Sequence, residues 1–220
     1  YDTLSAKQRK NIRSVCMDMW NPFFNATVKA VPDSLSKIVF DKFHIVKMVN
    51  KAVDDVRRSE YQSFHLQKKN NPLTGTKHLW LFGEENIPYY RKEEFERLKK
   101  LHLLVGKAWA MKESIREFWN KQSVSEASRH ISYWFRWVKR SKIKPMIQVA
   151  KTLKEHLGNI LTYFTHRVTN GVAEGLNSKI MTIKRRACGF RNRSNFRTVI
   201  YFFCGKLDLY PEGCHPHNFS

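Results

Sequence analysis

Two short apolar runs, each followed closely by an aspartate, constrain the fold of this chain most. Residues 12–19 and 36–40 have β-branched, apolar centres, which is typical of buried strands. Between them, residues 22–31 have helical spacing, with Pro22 at the first turn and Pro32 directly after the end. A strand, a crossover helix and a second strand form a βαβ unit, so the sequence predicts a parallel sheet and an α/β fold.

The two aspartates lie where these predicted strands end. Asp18 closes the first strand and Asp41 follows the second, and open α/β sheets bind their ligands at the carboxyl ends of strands. Asp18 has two interpretations at this point, a ligand-binding carboxylate or an N-cap for the next helix.

The motif Asp41-Lys-Phe-His44 places two polar side chains one turn apart at the head of another predicted helix. One interpretation is an aspartate cap followed by a histidine with an ordinary local partner. The other is that His44 hydrogen-bonds a neighbouring carboxylate and supports a site nearby. The helix itself is predicted from its apolar side, formed by Ile45, Val49, Ala52, Val53 and Val56.

A long helical segment separates these strands from the last part of the chain. From about residue 60 to residue 165, strand patterns are absent and helical spacing predominates. We predict helices over residues 91–120, 123–141 and 144–165, with loops at 70–75 and 83–88.

Within this segment, residues 131–140 interleave aromatic with basic side chains, and residues 127–154 contain eight Lys or Arg and no acid. Such a stretch could contact phosphates and stack on bases if it were exposed. Trp and Phe at helical spacing are more often buried, so we expect the aromatic side chains in the core. The basic side chains Arg136, Lys139 and Arg140 are expected to form a DNA-binding face.

The next predicted helix follows Thr169-Asn170-Gly171 and carries an isolated acid. Glu174 and Asn177 share its polar face, and residues 175–206 contain eight Lys or Arg and no acid. Glu174 is either an ion-paired surface residue or a metal-binding acid placed where DNA phosphates arrive. The apolar stripe that predicts the helix consists of Val172, Leu176, Ile180 and Ile183.

Composition favours a nucleic-acid partner. The formal net charge is +21, which indicates a polyanionic ligand, and no apolar stretch approaches the ~18 residues of a membrane span. We expect a soluble, intracellular protein with no membrane partner, and a fragment of a longer chain because there is no initiator Met. The four cysteines show no paired spacing, so we expect reduced thiols, and we do not interpret Cys214-His215-Pro-His217 as a zinc site.

Several stretches together resemble the catalytic domain of DDE transposases of the ISL3 family, in family order and over nearly the whole chain. They are VCMDMW (15–20), IVFDKFHIVK (38–47), NGVAEGLNSKI (170–180), KRRACGF (184–190) and IYFFCGKLDL (200–209).

The resemblance implies an RNase H-like fold, incomplete at its N-terminus, with a large all-α insertion before the final catalytic helix. Residues 1–60 would be the C-terminal part of the RNase H-like sheet, 61–165 the insertion, and 166–220 the final catalytic helix with a basic segment. Asp18 would be the second catalytic Asp and Glu174 the final Glu, both binding Mg²⁺ or Mn²⁺. Asp41, His44 and Asn177 would support them.

The family's first catalytic Asp belongs on an earlier strand, and the seventeen residues before Asp18 cannot hold the strands between. We therefore expect it upstream, and expect this chain by itself to bind DNA without cutting it. The implied partners are transposon ends and target DNA, bound by a homodimer in the bacterial cytoplasm at the nucleoid. DNA contacts are expected from Lys184, Arg185, Arg186, Arg191 and Arg193. Two alternatives stay open, an inactive DNA-binding relic and an RNase H-like nuclease without strand transfer.

Overall fold

A computed structural model describes residues 1–67 and 70–205 of the chain. The chain forms two compact units, Tyr1–Thr169 and Asn170–Ser220. The described residues are mostly helical, and the first unit contains a small parallel sheet. The strands are β1 (Val15–Met17) and β2 (Ile38–Phe40). The helices are α1 (Ala6–Lys10), α2 (Asn21–Ala30), α3 (Ser34–Lys37), α4 (Lys42–Leu66), α5 (Lys77–Leu81), α6 (Lys92–Lys100), α7 (Leu104–Phe118), α8 (Val124–Ser141), α9 (Lys144–Glu155), α10 (Leu157–Leu161), α11 (Tyr163–His166), α12 (Gly171–Arg186) and α13 (Arg193–Cys204).

The predicted parallel βαβ unit is confirmed. Strands β1 and β2 pair in parallel, with Val15 opposite Ile38 and Met17 opposite Phe40, and the predicted crossover helix α2 lies between them, followed by the short α3. Both strands are shorter than predicted. Residues 36 and 37, predicted as strand, belong instead to the helical turn α3, which follows Asp33 in a left-handed conformation with φ of 54°.

Side chains from the end of the first unit satisfy backbone groups of β2 and the turn before it. The Ile38 carbonyl accepts hydrogen bonds from Thr162 Oγ1 (2.6 Å) and Asn159 Nδ2 (3.2 Å). His166 Nε2 lies 2.8 Å from the Ser36 carbonyl oxygen. Because a strand edge with open backbone groups invites further pairing, these contacts protect the sheet.

Helix α4 is the longest element and packs against α5, α7 and α9. It buries the whole apolar side predicted for it, from Ile45 to Val56. Near its end, the Glu60 carboxylate accepts the amide hydrogens of Leu104 (2.8 Å) and Val105 (2.9 Å). Glu60 thereby satisfies N–H groups that the first turn of α7 leaves open.

The prediction of one helix over residues 91–120 is wrong. The structure has α6 and α7, separated at His102, whose φ of 51° is left-handed. The helical spacing continues in phase across this break, and neither Gly nor Pro marks it. The signal that starts α7 is the carboxylate of Glu60, which is distant in sequence, so local periodicity could not reveal it.

The prediction of one helix over residues 144–165 is also wrong, because the segment divides into α9, α10 and α11. The breaks fall at His156 and Thr162. They turn the chain so that Asn159 and Thr162 reach the β2 backbone, a contact that no local pattern encodes. Helix α5 was not predicted either, and its last carbonyls accept hydrogen bonds from the buried ammonium of Lys112 in α7.

Helix α8 confirms the prediction for residues 123–141, since Ser123 caps it by accepting the Glu126 amide hydrogen. The expectation of buried aromatics holds for Trp134, which is fully buried and donates to the Met111 carbonyl at 2.9 Å. Phe135 and Trp137 pack partly against the core. Tyr133 is different, because 65% of it is exposed.

The second unit contributes two helices in its described part. Helix α12 matches the predicted one, and α13 packs against it after a turn in which Cys188 and Gly189 have positive φ angles. The rings of Phe190 and Phe196 lie 4.8 Å apart at the base of this hairpin.

The predicted boundaries at residues 60 and 165 stay predictions, and α4 runs without a break across residue 60. The Cys214–His217 motif lies outside the described residues. Within residues 1–67 and 70–205, no disulfide joins Cys16, Cys188 and Cys204. In the ranges 1–67 and 70–205, no helix has the length and apolar character needed to cross a membrane.

Candidate functional site

Asp18 and His44 lie together at the carboxyl ends of the two strands. Asp18 directly follows β1, and His44 is in the first turn of α4, which begins after β2. Since the strands are parallel neighbours, both side chains reach the same edge of the sheet. His44 Nδ1 is 3.6 Å from Asp18 Oδ2, and each side chain is 44% exposed. The Asp18 carboxylate therefore lies beside the His44 ring and is open to solvent.

The structure contradicts the alternative in which Asp18 caps α2. That helix begins at Asn21, and Trp20 occupies its N-cap position. The Asp18 carbonyl accepts the Trp20 amide hydrogen at 2.7 Å, which makes a tight turn after β1. Among the residues that the structure describes, no Lys or Arg forms an ion pair with Asp18.

Asp41 fixes the start of α4 against β1. It is buried and occupies the N-cap position. Its amide donates to the Met17 carbonyl at 2.9 Å, and its carbonyl accepts the Ile45 amide hydrogen at 3.4 Å. This backbone link determines where the first turn of α4 lies, and therefore where His44 meets Asp18.

Glu174 is exposed in the first turn of α12, and Asn177 is exposed one turn later on the same side. The Glu174 amide donates to the Asn170 carbonyl at 2.9 Å. Within the described part of the second unit, no Lys or Arg forms an ion pair with Glu174. The interpretation of Glu174 as an ordinary ion-paired surface residue thus has no support within its own unit.

The basic residues predicted to contact DNA are all exposed. In the described part of the chain, none of them forms an ion pair with Asp or Glu, so their positive charge is not compensated. Exposed Lys and Arg of this kind bind phosphates. They are Arg136, Lys139 and Arg140 on α8, Lys184, Arg185 and Arg186 in the last turn of α12, Arg191 in the following turn, and Arg193 at the start of α13.

Sequence reasoning missed Arg129 and Tyr133, which lie beside a cavity of about 550 Å³ at α8. The signal was available in the spacing, because both residues fall on the side of α8 opposite its buried stripe. The preference of aromatic side chains for the core does not extend to Tyr133, which is 65% exposed.

Comparison with known sequences finds similarity to transposases. The model of the DDE transposase family ISL3, described as transposase, matches residues 1–200. The chain is 23% identical over 198 residues to the transposase for insertion sequence element IS1001 of Bordetella parapertussis, covering 89% of this chain and 48% of the relative. It is 22% identical over 214 residues to the transposase for insertion sequence element IS1557 of Mycobacterium tuberculosis, covering 87% and 48% respectively.

The chain therefore spans about half the length of the curated relatives that it matches. No solved structure matches it.

Proposed function

The chain belongs to the ISL3 family of transposases, and we propose that it supplies catalytic residues for cutting and joining the DNA of an insertion sequence. The observation that carries this proposal is the Asp18–His44 pair at the carboxyl ends of two parallel strands. A half-exposed carboxylate there, close to a supporting histidine, suits a site for phosphodiester chemistry. We further propose that the sheet is part of an RNase H-like domain.

The donor chemistry of Asp18 fits a divalent cation. Its carboxylate is accessible and has no Lys or Arg ion-pair partner among the described residues, and Mg²⁺ and Mn²⁺ prefer such hard oxygen ligands. No cluster of three or more ligating side chains occurs within residues 1–67 and 70–205. We propose Asp18 and Glu174 as two of the ligands. When bound, two such ions lower the pKa of an attacking water and stabilise the leaving oxygen.

The chain's own residues have distinct tasks in this proposal. Asp18 would bind the metal ion at the end of β1. His44 would fix the orientation of the Asp18 carboxylate, as partners of metal ligands commonly do. Asp41 fixes the position of the helix that carries His44. Glu174 would bind the metal ion from the first turn of α12. Asn177, one turn further along the helix, would orient the Glu174 carboxylate or contact the DNA. The expected reaction is attack by water at the element's end, followed by attack of the freed 3′-hydroxyl on target DNA.

DNA is the proposed partner of the exposed basic residues on α8, α12 and α13. Because these side chains carry uncompensated charge, they would bind phosphates and position the DNA without reading its sequence. We propose that the protein acts as a homodimer on transposon ends, in the bacterial cytoplasm at the nucleoid.

A joining assay with the full-length protein tests this function. The substrate is a labelled duplex carrying the element's terminal repeat, incubated with plasmid target and Mg²⁺, or with EDTA as the control. We expect Mg²⁺-dependent nicking at the repeat and transfer of the label to the plasmid. Nicking without transfer would indicate a nuclease, and binding without either reaction would indicate an inactive relic.

A further inference from the structure

The exposed side of α8 carries one aromatic ring among its positive charges. Arg129, Tyr133, Arg136 and Arg140 recur at i, i+4, i+7 and i+11, so they form one stripe along the helix. We call this set the α8 stripe. It faces solvent, because the buried residues of the helix are offset from it by two positions and lie on the other side: Ala127, Ile131, Trp134 and Val138.

Tyr133 is exposed although its neighbour is fully buried. It is 65% exposed, whereas Trp134 is in the core. The guanidinium carbon of Arg136 lies 5.8 Å from the centre of the Tyr133 ring, which is within the distance of a cation–π contact. The exposed ring offers a flat surface to a ligand without any change in the core.

The surroundings of this ring are basic. The cavity of about 550 Å³ beside it is lined by Lys121, Glu126, Arg129, His130, Tyr133 and Arg136. Glu126 accepts the Gln122 amide hydrogen at 3.1 Å, and Lys121 is paired with Glu117. Arg129, Arg136 and Arg140 form no ion pair within the described residues, so three guanidinium groups remain available for an anionic ligand.

A ligand that suits this surface combines a flat ring with flanking negative charges. Arg129 and Arg136 are four and three residues from Tyr133, which places them roughly 6 Å and 4.5 Å away along the helix axis, on opposite sides of the ring. A nucleotide strand has this alternation of bases and phosphates. In a duplex the base faces are covered by their neighbours, so only an unpaired base can stack on an aromatic side chain.

We infer that the α8 stripe binds single-stranded DNA, with an unpaired base stacked on Tyr133 and the flanking phosphates bound by Arg129 and Arg136. This inference rests on the proposed function, because it takes DNA as the partner. It adds a preference for single-stranded over double-stranded DNA, which positive charge alone does not explain. Both DNA forms carry phosphates, but only the single strand has accessible base faces.

Fluorescence anisotropy with a labelled oligothymidine strand and a labelled duplex of equal length tests the inference. The 220-residue chain is compared with Tyr133→Ala, Tyr133→Phe and, as a matched exposed tyrosine, Tyr89→Ala. Tyr89 is 88% exposed on a different segment. Tyr133→Ala should weaken single-strand binding by roughly tenfold or more and leave duplex binding unchanged. Tyr133→Phe and Tyr89→Ala should match the wild type.

The double substitution Arg129→Gln and Arg136→Gln should weaken binding of both DNA forms, because it removes charge and keeps the ring. If Tyr133→Ala has no effect on single-strand binding, or affects both DNA forms equally, the inference is wrong while DNA binding itself stands. If the wild-type chain binds neither form, DNA as the partner of this chain is wrong, and the inference is overturned with it.

Discussion

At the scale of single residues, Asp18 and His44 form the candidate functional site of the first unit. The two side chains lie beside each other where two parallel strands end. Their proximity could be expected from the sequence, because Asp18 ends one predicted strand and His44 follows the other. Periodicity could place Glu174 on the polar face of its helix, but it could not establish a role for it. The proposed metal-binding role of Glu174 rests on the family resemblance, since one carboxylate on a basic helix has several ordinary explanations.

Glu174→Gln should reduce DNA cleavage and joining by the full-length protein to background. The substitution keeps the size of the side chain and removes one metal-binding charge, so the fold and DNA affinity should be nearly unchanged. Joining and gel-shift assays measure these properties, with Glu93→Gln as the control because the Glu93 side chain is 94% exposed. Normal joining by Glu174→Gln would show that Glu174 is only a surface acid.

His44→Ala should lower the joining rate by roughly 10- to 100-fold, as expected for loss of a residue that orients a metal ligand. A role in orienting Asp18 predicts that more Mg²⁺ is needed for half-maximal activity. His44→Asn should restore part of the activity, because its amide can occupy the position of Nδ1. An unchanged Mg²⁺ requirement in His44→Ala would argue that His44 does not act through the metal site.

At the scale of elements, the sequence predicts the helices and strands that local patterns specify. It does not predict helix boundaries that depend on residues distant in sequence. The apolar side of α4 and the Ser123 cap of α8 are local signals, and both are found in the structure. The break before α7 depends on Glu60, and the breaks after α9 accompany contacts to Ile38. Such partners are distant in sequence, so the patterns of 91–120 and 144–165 each predict one helix.

The two adjacent aromatics of α8 should differ sharply in their effect on stability. Trp134→Ala should lower the free energy of unfolding by about 3–5 kcal/mol, because it leaves a cavity in the core and removes the hydrogen bond to Met111. Tyr133→Ala should change it by less than about 0.5 kcal/mol, as is usual at an exposed position. Urea unfolding followed by circular dichroism measures both, and equal effects would contradict the orientation of α8.

At the scale of the whole molecule, the charge of +21 predicts strong but salt-sensitive DNA binding. Composition alone supports this conclusion, and the structure adds that the eight predicted DNA-binding residues are exposed. The RNase H-like fold stays a prediction, because a larger sheet depends on long-range strand pairing that composition does not encode.

A triple variant in which Lys184, Arg185 and Arg186 are all replaced by Gln should bind every DNA sequence more weakly, and by the same factor. It should also flatten the plot of log affinity against log salt, by roughly 0.9 for each phosphate that is no longer neutralised. The control is the matched basic triplet Lys7, Arg9 and Lys10 in α1, whose replacement changes the net charge by the same amount. Equal slopes in the two triple variants would mean that net charge, and not this helix end, determines binding.

We propose that Asp18 and Glu174 bind the same metal site in the active complex. The most direct measurement is a crystal structure of the full-length protein on terminal-repeat DNA with Mn²⁺, located by its anomalous scattering. We predict Mn²⁺ bound by both carboxylates, which should lie within about 8 Å of each other, since the two ions are roughly 4 Å apart with ligand bonds on either side. Mn²⁺ bound elsewhere, with the two carboxylates on separate faces of the protein, would contradict this claim.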